Sequence, residues 1–229
     1  MLIRGRPATH VEEATTMPFA ARVARAIARA VPTKALLLFE EDLMTARRRD
    51  PAATSALEIA LTYPGVHALW THRVSHALWN RGARTPARVL SSVARAFTGV
   101  DIHPEARLGR RVFIDHATGV VIGQTAEVGN DVVIFHGVTL GGVAMTPGKR
   151  HPTVGDHVMI GAGAKVLGPI TIGNGVKVGA NAVVVKDVPC GTVAIGVPAR
   201  LLPKPERDTR DRDLIVDPNY FFDEPALYI

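Results

Sequence analysis

Along the second half of the chain, apolar residues return every sixth position. Ile102, Leu108 and Ile114 begin the beat, and after a slip of two residues it resumes at Ile122, Val128, Ile134 and Leu140. GGVAMTPGKRHPT interrupts it, and it returns at Val154, Ile160, Val166, Ile172, Val178 and Val184. Small or β-branched residues stand four after most of these, as at Ala126, Val132, Val138, Val158, Ala164, Val176, Ala182 and Val188. Neither the helical period of about 3.6 nor the strand period of about 2 produces this spacing. It is the pattern of a parallel β-helix built from hexapeptides. Each unit forms one flat side with its aliphatic residue inward, and a glycine at the next position eases the corner. A coil buries its face only by stacking on the next, so many are needed.

The first half keeps a different rhythm. Phe19, Val23 and Ile27 recur at helical spacing, and Thr33 is placed to cap a helix through ALLLFEEDLMTARRR. Pro51, Pro64 and Pro86 each break or start an element. Val66, Leu69, Val74, Leu78 and Trp79 then form an apolar stripe. His72 and His76 share a face of that helix, but no acid or third ligand accompanies them, so the pair is not read as a metal site. The expected architecture is α+β: an α-helical domain over residues 1–98, then a left-handed parallel β-helix over 99–202 with a protruding loop at 143–153, and a C-terminal tail over 203–229.

Composition narrows the class. Apolar residues make up 47%, charged residues 21% and aromatics only 5%, a globular composition suited to thin stacked coils. The net charge of +6 fits a phosphate-bearing cosubstrate, and equally a merely basic surface. Only Arg47, Arg48 and Arg49 form a basic run, and aromatics do not interleave with it, so no nucleic-acid partner is expected. The single cysteine, Cys190, allows no internal disulfide and fits a reducing cytoplasm. No apolar run is long enough for a membrane span. FAARVARAIARA near the start is amphipathic and Arg-rich, but Glu12 and Glu13 argue for an ordinary surface helix over a transit peptide.

One stretch departs from the repeat. In IDHATG the aliphatic slot holds Ile114 and Thr118 is small enough for its slot, but the glycine slot holds Asp115 and His116 follows. Around it stand VDIHP at 100–104, VTLGG at 138–142, KRHPTVGD at 149–156, IGAGAKVLG at 160–168 and GVPAR at 196–200, with RRDPAA at 48–53 and YPGVHALWTHR at 63–73 upstream. Together these motifs resemble serine O-acetyltransferase over residues 42–203. The resemblance implies acetyl transfer from acetyl-CoA to the hydroxyl of L-serine, giving O-acetylserine and CoA, the first step toward cysteine. It also implies a homotrimer or a dimer of trimers, and no cofactor beyond acetyl-CoA as cosubstrate.

A serine hydroxyl needs a general base, and His116 matches the family's catalytic base, with Asp101 matching its orienting acid. The logic is that of a Ser-His-Asp triad whose hydroxyl comes from the substrate. L-Serine is a zwitterion. Asp50 and Asp115 match positions suited to its ammonium; Arg150, with His151 beside it, suits its carboxylate. Gly142, Gly161 and Ala162 suit close approach of the pantetheine arm, and Lys177 matches a cationic position for the CoA phosphates, with Arg200 a further candidate. The terminal Ile229 matches the residue with which the family enters the active site of O-acetylserine sulfhydrylase. Gln124 stands where the family usually has an acid, and is assigned no role. Two other readings share the coil: transfer to another hydroxyl or amine acceptor, and a non-catalytic scaffold for the sulfhydrylase. His116, His136, His151 and His157 lack the spacing of a trimeric zinc enzyme on the same coil.

Overall fold

The computed structural model describes residues 33–202. The segment bearing Phe19, Val23 and Ile27, and the tail with Ile229, lie outside the described residues. Four helices come first: α1 (Thr33–Arg49), α2 (Ala56–Thr62), α3 (Pro64–Asn80) and α4 (Arg84–Thr98). Arg47, Arg48 and Arg49 fill the last turn of α1, where cations complement the helix dipole. Ser55 caps α2 by accepting the Glu58 N–H at 3.1 Å, while the Glu58 carboxylate reaches back to the Thr54 N–H at 3.0 Å. Pro64 takes the first position of α3, where its missing N–H costs nothing. Gly99, at φ 71°, ends α4 and turns the chain into the coil.

Fifteen short strands of two or three residues then form three sheets. Sheet A stacks β1 (Asp101–Ile102), β4 (Val121–Ile122), β7 (Thr139–Gly141), β10 (Lys165–Leu167) and β13 (Val183–Val184). Sheet B stacks β2 (Arg107–Leu108), β5 (Glu127–Val128), β8 (Thr153–Val154) and β11 (Thr171–Ile172). Sheet C stacks β3 (Phe113–Ile114), β6 (Val133–Ile134), β9 (Met159–Ile160), β12 (Lys177–Val178), β14 (Val193–Ile195) and β15 (Arg200–Leu202). Every ladder is parallel except β14–β15. This is the hexapeptide β-helix expected from the beat. Each beat residue from Ile102 to Val184 is the second residue of a strand, so a column of aliphatics fills the prism. Ile134, Leu140, Ile160, Val166, Ile172 and Val178 are wholly inaccessible to water.

Helices α1–α3 pack on the outer face of sheet C, while α4 lies against β1 of sheet A, its Ser91 hydroxyl donating to the Ile102 carbonyl at 2.6 Å. On sheet C, Phe113, Val133 and Met159 form a second core with Ala46, Ile59 and Val66. Arg73 on α3 bolts the two parts together. Its Nη2 reaches Asp42 Oδ1 at 3.1 Å and the Gly109 carbonyl at 2.9 Å, and Nη1 reaches the Leu108 carbonyl at 3.0 Å. A surface network joins α1 to the sheet B–sheet C corner: Arg111 grips Asp131 through Nε and Nη2, each at 2.7 Å, while Glu41 accepts from Arg110 and Arg111. The loop leaves after Gly141 and rejoins at Thr153, which already belongs to β8, so its free span is 142–152. Among the described residues no helix is long and apolar enough to cross a membrane.

Candidate active site

Six residues, 115–120, separate β3 from β4, where the corresponding corner between β6 and β7 has four, 135–138. Thr118 does not take the inward slot that the repeat offered it. It is exposed, and Ala117 and Val120 fill the interior, both fully buried. The two extra residues are absorbed by His116 and Ala117, consecutive in the left-handed region at φ 55° and 56°. That conformation costs an L-residue roughly 1–2 kcal/mol. Neighbouring backbone holds it in place: the Gly119 N–H reaches the Gly99 carbonyl and the Gly137 N–H reaches that of Thr118, each at 2.9 Å. The bulge carries His116 out of the coil, with its side chain 75% exposed.

Asp115 Oδ2 lies 3.8 Å from His116 Nε2, and the His136 ring stands edge-on to that of His116, centroids 5.9 Å apart. Burial, chiefly, pushes the Asp115 carboxyl above its ordinary range; His116 opposes this and the nearby charge of Asp50 adds to it. Asp50 follows α1 and has both oxygens engaged. Oδ1 accepts the Ala52 N–H at 2.8 Å, the bond of a turn residue before proline, and Oδ2 accepts the Tyr63 hydroxyl at 2.5 Å. Burial first, and then that bond, push the Tyr63 hydroxyl up to about 12, so it stays protonated and donating. Tyr63 received no role from the sequence, although it opens the motif YPGVHALWTHR. Asp101 opens β1 beneath the same corner, its N–H on the Val120 carbonyl at 2.9 Å. Its carboxylate pairs with Arg95 Nη1 at 3.1 Å, so the carboxylate beside His116 within the chain is that of Asp115.

Arg150 and His151 do not join this group. The bulge lies at the corner between sheets C and A; the loop leaves sheet A and returns to sheet B, at the opposite edge of the flat side. A side of six residues spans up to ~20 Å at strand rise. Within one chain the Asp115–His116 pair and the loop therefore stand at opposite edges of that side. The loop end is anchored instead to β4–β5. Arg150 Nη2 donates to Gln124 Oε1 and Gln124 Nε2 donates to Glu105 Oε2, both at 2.7 Å. The Lys149 ammonium reaches the Thr125 carbonyl at 2.8 Å. His151 is 8% exposed, and burial, then the charges of Arg150 and Lys149, hold it below the ordinary histidine range. Gln124, left without a role by the sequence reading, thus holds the guanidinium of Arg150.

Of the residues expected to meet CoA, Gly142 lies at the loop edge, Gly161 and Ala162 at the edge that carries the bulge, and Lys177 on sheet C. A Cβ at Gly142, at the start of the loop, would press on Arg150 Cγ and His151 Nε2 at 3.2 Å. Gly161 and Ala162 follow β9 at the sheet C–sheet A corner, and a Cβ at Gly161 would meet the Ala180 nitrogen of the next coil at 2.6 Å. Packing alone thus requires glycine at 161. Lys177 opens β12, half-buried, and Arg200 is exposed on β15. His72 and His76 have ring centroids 5.5 Å apart, and burial drives His72 well below the ordinary range. Among the described residues no cluster of three or more His, Cys, Asp or Glu could hold a metal.

The family model for the bacterial transferase hexapeptide (six repeats) matches residues 151–186. A serine acetyltransferase of Mycobacterium tuberculosis is 65% identical over 161 residues, 70% of each chain. The crystal structure of the Neisseria gonorrhoeae serine acetyltransferase is 41% identical and superposes with a TM-score of 0.77, covering 87% of this chain and 82% of that one. A soybean serine acetyltransferase complexed with serine is 50% identical, with a TM-score of 0.72 over 73% of this chain and 69% of its own.

Proposed function

The chain belongs to the serine acetyltransferase family, and from that premise we propose how its residues divide the work. The reaction moves the acetyl group of acetyl-CoA to the hydroxyl of L-serine. His116 is the general base. It takes the serine hydroxyl proton as the oxygen attacks the thioester carbonyl. When the tetrahedral intermediate collapses, the C–S bond breaks and the imidazolium returns that proton to the CoA thiolate. The observation that carries this reading is the bulge at His116–Ala117: the coil accepts two strained residues in succession and thereby sets an imidazole in solvent beside a carboxylate.

Asp115 and Asp50 receive the serine ammonium, a role supported by their mutual repulsion, which a cation between them relieves. Arg150 and His151 receive the carboxylate. Asp101 orients His116 once Arg95 gives it up. Gly142, Gly161, Ala162 and Lys177 line the path of CoA. Because the two groups stand at opposite edges of one flat side, the working unit is a cytoplasmic homotrimer, or a dimer of trimers, in which the edge of one chain meets the other edge of its neighbour. The terminal Ile229 docks the protein to O-acetylserine sulfhydrylase. Equal co-elution of full-length and Ile229-deleted protein with that enzyme would remove this last role.

Thiol release from acetyl-CoA tests the centre. Release that needs L-serine, is not supported by L-homoserine, and falls by about 10²–10⁴ in His116→Ala is the expected result. Release with homoserine alone would change the acceptor. Unaltered release in the variant would remove His116 as the base.

A further inference from the structure

The return of the loop to the coil decides a proton position. The Thr125 N–H lies 3.2 Å from His151 Nδ1. A backbone N–H can only donate, so Nδ1 is the acceptor, and the proton of a neutral ring sits on Nε2. The Thr125 hydroxyl agrees. Its Oγ1 accepts the N–H of Arg150 at 3.0 Å and that of His151 at 3.1 Å. Its own hydrogen is then left for Nδ1, 2.9 Å away. Two donors thus converge on one lone pair, and a proton arriving at Nδ1 would meet both. On the other edge of the ring the backbone stands close and bare: a Cβ at Gly123 would collide with Cδ2 and Nε2.

We propose that Thr125 is a positioning residue for the reaction, locking His151 as a neutral Nε2–H donor and fixing the backbone of Arg150 in the same bond set. His151 is then not a second base. It is a donor standing beside the Arg150 guanidinium, and the two together fit an anionic group of the acceptor. This rests on the reading above that Arg150 and His151 receive the serine carboxylate. The chemistry excludes a pair of cations: one partner is permanently charged and the other is held neutral by geometry.

Imidazole ¹⁵N spectra of the full-length protein test it, with the His151 signals assigned by their loss in His151→Gln. At neutral pH His151 is expected to show a pyridine-type Nδ1 and a pyrrole-type Nε2. Thr125→Val, which keeps the shape and removes the hydroxyl, should broaden or shift that pattern and raise the serine KM about tenfold, with the acetyl-CoA KM unchanged. Thr125→Ser should restore both. A wild-type Nδ1 that carries the proton overturns the proposal, as does a Thr125→Val protein with wild-type serine KM. If Thr125→Val does not fold, the wild-type spectrum and the serine variant still decide. A correct tautomer in a protein that does not turn over serine would sink the functional reading and leave this assignment standing.

Discussion

At the scale of single residues, the site depends on groups that hold other groups. Tyr63 is the clearest. Its hydroxyl donates to Asp50 at 2.5 Å, and a phenol pushed up to about 12 remains a donor at any working pH. Tyr63→Phe removes one bond to a charged acceptor, worth about 1.5–3 kcal/mol. Steady-state kinetics should show the serine KM raised about tenfold or more with kcat little changed, because Asp50 loses its aim while His116 is untouched. An unchanged KM would mean that the turn bond from Ala52 is enough. The candidate residues themselves were legible in the sequence, since Asp115 and His116 break a repeat that otherwise prefers glycine. Their supports were not. Tyr63 meets a partner 13 positions away, and Thr125 and Gln124 meet theirs across 25 and 26 positions and a loop, separations that no local pattern records. Thr118 was misplaced for a related reason. A repeat of fixed length cannot say which residues of an insertion stay inside.

At the scale of elements, the coil and the helices are separate solutions joined by an apolar face and by the charged contacts beside it. The beat was readable because one aliphatic per side must point inward, and each beat residue does so at the second position of its strand. Where the helices would lie was not readable. Their docking face on sheet C is made by Phe113, Val133 and Met159, residues that precede the beat and look outward. The seam beside that face predicts acid behaviour. The Arg111 guanidinium, chiefly, holds the Asp131 carboxyl below its usual value of 3.8. A group with a depressed folded value stabilises the protein above its unfolded value and loses that contribution as pH falls through the folded one. Melting temperature should therefore drop as pH falls below 3.8. Asp131→Asn should melt lower at pH 7, by the equivalent of about 2 kcal/mol, and show a shallower acid decline in scanning calorimetry. Parallel acid curves for the two proteins would place the acid lability elsewhere.

At the scale of the whole molecule, the proposed site falls at two separate edges of one chain. His116 and Asp115 stand at one edge of a flat side, Arg150 and His151 at the other. If neighbouring chains complete each other in a closed ring, two defective proteins can repair one another. His116→Ala and Arg150→Ala, each inactive alone, should regain roughly a quarter of wild-type activity when co-expressed, since one pairing in four joins two intact halves. No recovery would mean that each site is completed within its own chain. The reversal of β15 has a consequence of another kind. A stack of parallel strands is a growth template, because its last rung offers the same donors and acceptors as the first and a second molecule could continue it. Here α3 and α4 lie over the opening rungs, and at the far end β15 takes the edge of sheet C running backwards. A newcomer in the repeating register finds no matching rung on that sheet. The solenoid is a filament whose elongation on that sheet has been terminated, so that a geometry suited to fibres yields a catalyst of fixed length instead.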